Sequence, residues 1–357
     1  MNAGGYRYTI YGLTVETNRR FLTPMAAATA QTHGAHATAS PAAPPVVRFS
    51  CVGGGGKRRI AAGRLIYASG PTNSCGESVL QIYAEDSQRI VRFPRVADFV
   101  LRRGEILCEL CDPELDYMVE VCLLGHVLAY YLELAGVIAL HAGAVEVGGR
   151  ALLFAAGRSV GKSTVVASMV AAGYRLLADD IAALPVDAAR GDAEVICLPA
   201  YPQLKLTPRQ AERFARRADG FPLVHPAFDK LSVPVDAVGA YSGAARPPGA
   251  IYLLQRRPPG RVEAGAPAVT LQPLGGAQAL MQLVSVCFLS GILDSVEPLE
   301  DFDGADLRAS RLGRLARIAQ SVPVAAVTYD SGYQLLPQLH TALVGGLSGL
   351  CRATVEG

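Results

Sequence analysis

Charge of either sign is scarce in this 357-residue chain. Charged residues make up 18%, against about 25% in an average soluble protein. The 33 basic and 31 acidic residues leave a formal net charge of +2. No excess of either sign marks a dedicated binder of nucleic acid or of a membrane surface. Long uninterrupted apolar runs are missing too. Apolar residues make up 50% and the mean hydropathy is +0.26, yet the most apolar stretch, residues 118–144, contains Glu120, His126, Glu133 and His141. A spanning helix needs about 20 mostly apolar residues without such breaks. A buried helix followed by a buried strand fits better, and no membrane partner is expected. The opening MNAGGYRYTIYG has no charged start leading into an apolar run, so it does not read as a secretory signal. A cytoplasmic location is the expectation. Of eight cysteines, only Cys108 and Cys111 form a CxxC. No second pair stands at zinc-site spacing, so ordinary reduced thiols are expected.

What is present is a switch of pattern along the chain. Residues 6–16 alternate bulky apolar with polar groups, as a strand does. Residues 23–45 are rich in Ala, Thr and Pro and read as a flexible insertion. The run Gly53–Gly56 before Lys57, Arg58 and Arg59 reads as a hairpin tip, with an anion site as the alternative. Short strand patterns continue to residue 99. Residues 1–115 thus read as a mostly β module, and 116–357 as an α/β core. In that core, residues 116–133 repeat at helical spacing after Asp112 and Pro113. Residues 137–147 and Arg150–Ala155 look like strands, 162–172 like a helix ended by Gly173, and 174–178 like another strand. Strand, loop, helix, strand is the order of an α/β nucleotide-binding fold. Further on, 206–217 looks helical with Thr207 as cap and Pro208 at its first position. Residues 249–255 form a strand pattern, 278–293 and Leu307–Ser321 helical ones, and 322–329 a last strand.

The strongest chemical signal is ALLFAAGRSVGKSTVVASMV. Gly161, Lys162, Ser163 and Thr164 sit after an apolar strand and before an apolar helix. Amides of such a loop, with the helix N-terminus, point positive charge at phosphate oxygens. The expected phosphate-binding residues are Gly157, Arg158, Ser159, Val160, Gly161, Lys162, Ser163 and Thr164. Lys162 would reach the β and γ phosphates and the Ser163 hydroxyl would coordinate Mg²⁺. The pattern GxxxxGK[ST] wants glycine at 156, where this chain has Ala156. Arg158 could touch phosphate or be solvated. A second signal is LLADDIAAL. Asp179 and Asp180 follow a short strand, at the strand end where α/β sheets bind ligands. One could hold Mg²⁺, with Asp180 the expected ligand, and the other take a proton from an attacking hydroxyl. A helix cap and turn is the plainer reading. His141, in IALHAGAVEV, closes a buried strand and is either a core residue or part of the site. Lys205 and Lys230 read as surface lysines with anion contact as the alternative, and Arg256 and Arg257 as surface charges.

Residues 140–183 resemble the catalytic core of the HPr kinase/phosphorylase family. The matching pieces are the His in LHAGAV, the loop GRSVGKST and the Asp pair in LLADDIAAL. Outside this core, YRYTIYGLTVET, VADFVLRRGEI and LPAYPQLKL resemble the HPr-kinase-like peptide kinases of lasso-peptide clusters. The resemblance implies an α/β P-loop kinase core of the HPr kinase type behind the N-terminal β module. It also implies ATP and Mg²⁺, and a serine hydroxyl of a peptide or small protein as acceptor. By the same match Lys162 steadies the γ phosphate, Asp179 or Asp180 is the base, and His141 lies close by. Thr164 stands where HPr kinases carry a glutamate, and no EIRGxG-like segment is present. Both departures argue against HPr as substrate and against phosphorylase activity. A nucleotide-binding module without transfer and a small-metabolite kinase stand as alternatives, and homo-oligomer formation stays open.

Overall fold

The computed structural model describes residues 5–25, 44–53, 63–69, 78–157, 160–186, 194–217, 220–226, 228–257, 267–291 and 299–353. Most of the Ala/Thr/Pro-rich stretch and of the glycine run with its basic flank lies outside them, as do Arg158 and Ser159.

Eight strands build the first sheet: β1 (Tyr6–Ile10), β2 (Leu13–Thr17), β3 (Val46–Gly53), β4 (Arg64–Ala68), β5 (Gln81–Glu85), β6 (Gln88–Phe93), β7 (Ala97–Arg102) and β8 (Glu105–Leu110). Their order is β1-β2-β3-β8-β7-β6-β5-β4. The single strand expected over residues 6–16 is in fact the hairpin β1–β2. Tyr11 and Gly12 turn it, with φ of 51° and 71°. Paired positive φ values are what a two-residue hairpin turn demands, and Tyr11 gives no compositional hint of it. Cys51 and Cys108 face each other across β3 and β8. The cysteines among the described residues are free thiols.

A helical passage follows, α1 (Tyr117–Cys122), a π-helical turn over Leu123–Val127, and α2 (Leu128–Leu134). The wide turn centres on Gly125, whose φ and ψ of −99° and −109° are not helical. This passage has the length and composition of a membrane crossing, yet Val119, Val127, Leu128, Ala129 and Leu132 are buried against the first sheet's core. The helix and the strand after it, β9 (Val137–Leu140), are therefore interior, as the pattern of residues 118–144 suggested.

The second sheet contains β10 (Ala142–Val147), β11 (Arg150–Ala155) and β12 (Arg175–Ala178), with the helix α3 (Lys162–Ala171) joining the last two. The strand β13 (Ala182–Pro185) pairs antiparallel with β9 in a small separate sheet. Next come β14 (Gln203–Leu206), α4 (Pro208–Phe214), β15 (Leu223–His225) and β16 (Phe228–Pro234). These three strands form a sheet in the order β14-β16-β15. Thr207 caps α4 in a full capping box with Gln210, shortening the helix expected over 206–217 to seven residues. The remaining elements are β17 (Ala240–Tyr241), β18 (Pro248–Arg257), β19 (Val269–Pro273), α5 (Gly276–Ser285), α6 (Leu307–Ser321), β20 (Val324–Asp330) and α7 (Leu336–Ala353). The second sheet runs β17-β12-β10-β11-β18-β20-β19, with β11, β18 and β20 parallel. Val165, Val166, Ala167, Met169 and Val170 of α3 bury themselves with Leu152, Phe154, Tyr252 and Val327. That packing fixes where the N-terminus of α3 points.

One buried ion pair ties α2 to α6. Arg311 Nη2 lies 3.2 Å from Glu133 Oε1, which also accepts the Ala139 amide at 2.9 Å. Burial pushes the Glu133 carboxyl up to about 7, and Arg311 and that amide offset only part of the rise. An unfolded glutamate titrates near ~4.3. Between the two values the folded state holds a proton that the unfolded chain has lost. Stability therefore falls as pH rises through this window. Glu133→Gln should remove the dependence, a slope of up to about 1.4 kcal/mol per pH unit, from urea unfolding midpoints. A wild-type slope retained in the variant would rule Glu133 out as its source.

Candidate functional site

The site forms where two strand pairs part company. In the second sheet Ala144 of β10 faces Ala178 of β12. In the small sheet Leu140 of β9 faces Ala182 of β13. Three residues on each chain, 141–143 and 179–181, lie between these pairings. His141 occupies the break between β9 and β10, so the single strand expected over 137–147 is divided there. Asp179 and Asp180 occupy the facing break. Asp180 takes φ of 74°, a left-handed conformation that aspartate adopts more readily than most residues.

Asp180 is the centre of a cluster of two lysines and a histidine. Its Oδ1 lies 3.2 Å from Lys162 Nζ and 3.2 Å from His141 Nε2, and its Oδ2 lies 3.0 Å from Lys205 Nζ. Burial alone would raise the carboxyl, but Lys205, Lys162 and His141 outweigh it and hold Asp180 well below the usual carboxylate range. Burial lowers the Lys162 ammonium, against the pull of Asp180 and Asp179. For Lys205 burial acts the same way, but Asp180 and Tyr201 prevail and raise it. Lys230 adds a repulsion that also lowers Lys162. Asp179 has a different part. It is buried, and its Oδ2 accepts the Lys205 amide at 2.8 Å, fixing β14 against the site. Its Oδ1 is buried without a hydrogen-bond partner.

The loop before α3 supplies the other wall. Gly161 takes φ of 117°, and the amide of Val165 donates to its carbonyl. Lys162 opens the helix and is buried, while Ser163 and Thr164 are half-buried on its first turn. Thr164 Oγ1 accepts from Gln210 Nε2 of α4 at 2.7 Å. Tyr329, from β20, donates its hydroxyl to the Val160 carbonyl at 2.9 Å. A Cβ at position 161 would meet that same hydroxyl at 2.7 Å. Gly161→Ala should therefore suffer twice, from the positive φ and from the clash, losing about 1–3 kcal/mol. Measured against Tyr329→Phe alone, which loses the Val160 hydrogen bond in both backgrounds, Gly161→Ala should cost less in melting temperature, because the clash is gone. An equal cost with and without the hydroxyl would show that φ alone sets the requirement for glycine.

Of the residues expected from sequence, His141, Lys162, Asp179 and Asp180 meet here, with Val160 and Gly161 on the adjoining loop and Ser163 and Thr164 on the first turn of α3. Gly157 lies at the start of that loop, and Arg158 and Ser159 fall outside the described residues. The surface reading of Lys205 is overturned. Its neighbours in QLKL alternate like an ordinary strand, but the Asp179 carboxylate pins its backbone and turns the side chain inward. Tyr329 carried no local signal, and Gln210 only that of a capping box with Thr207, which says nothing of its reach to Thr164. Arg257 pairs with Asp330 at 2.7 Å at the far end of β18.

A carboxylate held ionised between ammonium groups, at the N-terminus of a buried helix, can orient a hydroxyl or share a cation. The adjoining amides and Lys162 can hold an anion.

No protein-family profile and no curated protein matches the chain. Among solved structures, the HPr(Ser) kinase/phosphatase from Coxiella burnetii is similar over 61% of this chain and 99% of its own, at 13% identity and a TM-score of 0.28. At that score the overlap is too loose for residue roles to be carried from one protein to the other.

Proposed function

We propose that this chain is an ATP-dependent phosphotransferase that passes the γ-phosphate to a serine hydroxyl of a peptide or small protein, with a lasso-peptide precursor as the first acceptor to try. The observation that carries the reading is the meeting of Lys162, at the opening of α3, with Asp180, whose carboxylate also holds His141 and Lys205. In phosphoryl transfer the protein supplies positioning and charge stabilisation rather than covalent chemistry. Lys162 and the loop amides would hold the phosphates. Asp180 would orient the acceptor hydroxyl, and His141 would fix the carboxylate's direction.

The donor chemistry also fits magnesium arriving with the nucleotide. The Ser163 hydroxyl and the Asp180 carboxylate are hard oxygen ligands, and Mg²⁺ commonly takes one or two carboxylates plus phosphate oxygens and waters. Among the described residues no cluster of three or more His, Cys, Asp or Glu could hold a resident ion. Bound there, magnesium would neutralise charge on the phosphates.

The decisive experiment is incubation of the purified chain with Mg-ATP and the short precursor peptides encoded beside its gene, followed by mass spectrometry. Addition of one phosphate supports the reading, and its absence from every such peptide overturns it. Ala156, buried where the loop pattern asks for glycine, favours a second reading, a nucleotide-binding module without transfer. Thermal stabilisation by Mg-ATP with no phosphorylated product would support that one.

A further inference from the structure

A cavity of about 230 Å³ opens beside the candidate site, and Lys205 forms part of its wall. On the other sides it is bounded by Leu22, by Tyr117, Val121 and Leu124 of the α1 passage, and by Leu223 of β15. Two of its rim residues, Leu22 and Leu223, are 84% and 50% exposed. Aliphatic side chains are left in water here around a hollow that no described residue fills.

The charges in this wall are already satisfied from within. Both oxygens of Glu120 accept backbone amides, from Leu22 at 2.7 Å and Thr23 at 2.6 Å. Lys205 is held by Asp180. Gln203 donates to the Ser232 hydroxyl. An anionic occupant would find no free cation, since Lys205 is held by Asp180, and both Glu120 oxygens are already taken up by amides, whereas an apolar one would lose nothing and remove Leu22 and Leu223 from water. Size agrees. An apolar cavity of about 150 Å³ takes a benzene ring, so this one has room for one aromatic or branched aliphatic side chain.

Its position separates the acceptor from the nucleotide. Asp180 turns Oδ1 towards Lys162, at the phosphate-facing loop, and Oδ2 towards Lys205, in the cavity wall. Lys205 thus stands between the cavity and the carboxylate, bonded to the oxygen that does not face Lys162. We propose that it binds one apolar side chain of the acceptor peptide, near the acceptor serine, and so selects among serines by an apolar neighbour. This rests on the phosphotransferase reading above.

The test is a library of serine peptides in which each flanking position is varied in turn, assayed with the wild-type chain, Val121→Phe and Leu223→Asp. Val121→Phe fills the cavity. Leu223→Asp places a carboxylate at a rim position that is 50% exposed. At one flanking position, Phe or Leu should raise kcat/KM at least about tenfold over Ala. Both variants should erase that preference and leave the KM for ATP unmoved. A preference for charged neighbours, or variants that slow all peptides equally, would overturn the proposal. A raised KM for ATP would give the cavity to the adenine and overturn it as well. Fluorescence anisotropy of labelled peptides on the protein loaded with a non-hydrolysable ATP analogue reads the cavity without transfer. Tighter binding of apolar-flanked peptides, lost in Val121→Phe, together with no phosphate transferred to any peptide in the parallel Mg-ATP assay would sink the phosphotransferase reading and keep the cavity. Equal binding of all peptides alongside transfer would do the reverse.

Discussion

Lys162→Met should lower phosphate transfer at least about 10³-fold, the loss expected when a preorganised charge facing a developing anion is removed. Methionine keeps the length and apolar stem of a side chain that is 8% exposed, so the helix start should stay packed. The change also lifts one cation from Asp180. Transfer is measured as phosphate incorporated into peptide, and nucleotide binding as the shift of melting temperature with Mg-ATP. Both should fall together. A variant that keeps a tenth or more of the wild-type rate would mean that the phosphates are held elsewhere.

The second large effect separates the two adjacent aspartates. Asp180→Asn should also cost about 10³-fold or more in kcat, because the amide neither takes up the proton of the attacking hydroxyl nor balances the lysines. It leaves Lys162 and Lys205 facing each other with only the more distant charge of Asp179 to offset them, at about 2 kcal/mol of stability once their partial exposure is allowed for. Asp179→Asn should act mainly on stability, since Asp179 holds the amide of Lys205 rather than a cationic head. Equal losses of kcat in the two variants would refute this division. The pH profile gives an independent check. With its pKa well below the usual range, Asp180 contributes stability that is complete above about pH 3.9, the value in an unfolded chain. That stability is lost only as acidity passes the folded value. An acid limb of activity between pH 5 and 7 would therefore belong to another group.

Much of the site was legible because its pieces are local. An apolar strand, a glycine, Lys162 and an apolar helix lie within one short stretch, and the change of period from two to 3.6 marks the join. The Asp pair sits at a strand end, where a carboxylate doublet stands out among apolar neighbours. What stayed hidden depends on pairing between distant segments. Lys205 looks like any outward lysine until the Asp179 carboxylate captures its amide. Tyr329 reaches Val160 from the last strand, and nothing in VAAVTYD announces it. The hairpin β1–β2 was missed because Tyr11 takes positive φ without a Gly or Asn signal at that position. The three-stranded sheet β14-β16-β15 was missed because its two edge strands are only four and three residues long.

The fork at His141 and Asp180 has a consequence for how this chain can change over time. Arms β9 and β13 are each four residues long, and their last pair, Leu140 with Ala182, is in step across the gap with Ala144 and Ala178, after which β12 bulges by one residue. Deleting one residue from either arm would turn its side chains to the opposite face, and would also withdraw either the imidazole or the carboxylate from the other. Length drift in one arm is survivable only with a matching change in its counterpart. Insertions should be far better tolerated in the distant turns of the first sheet than in these eight residues.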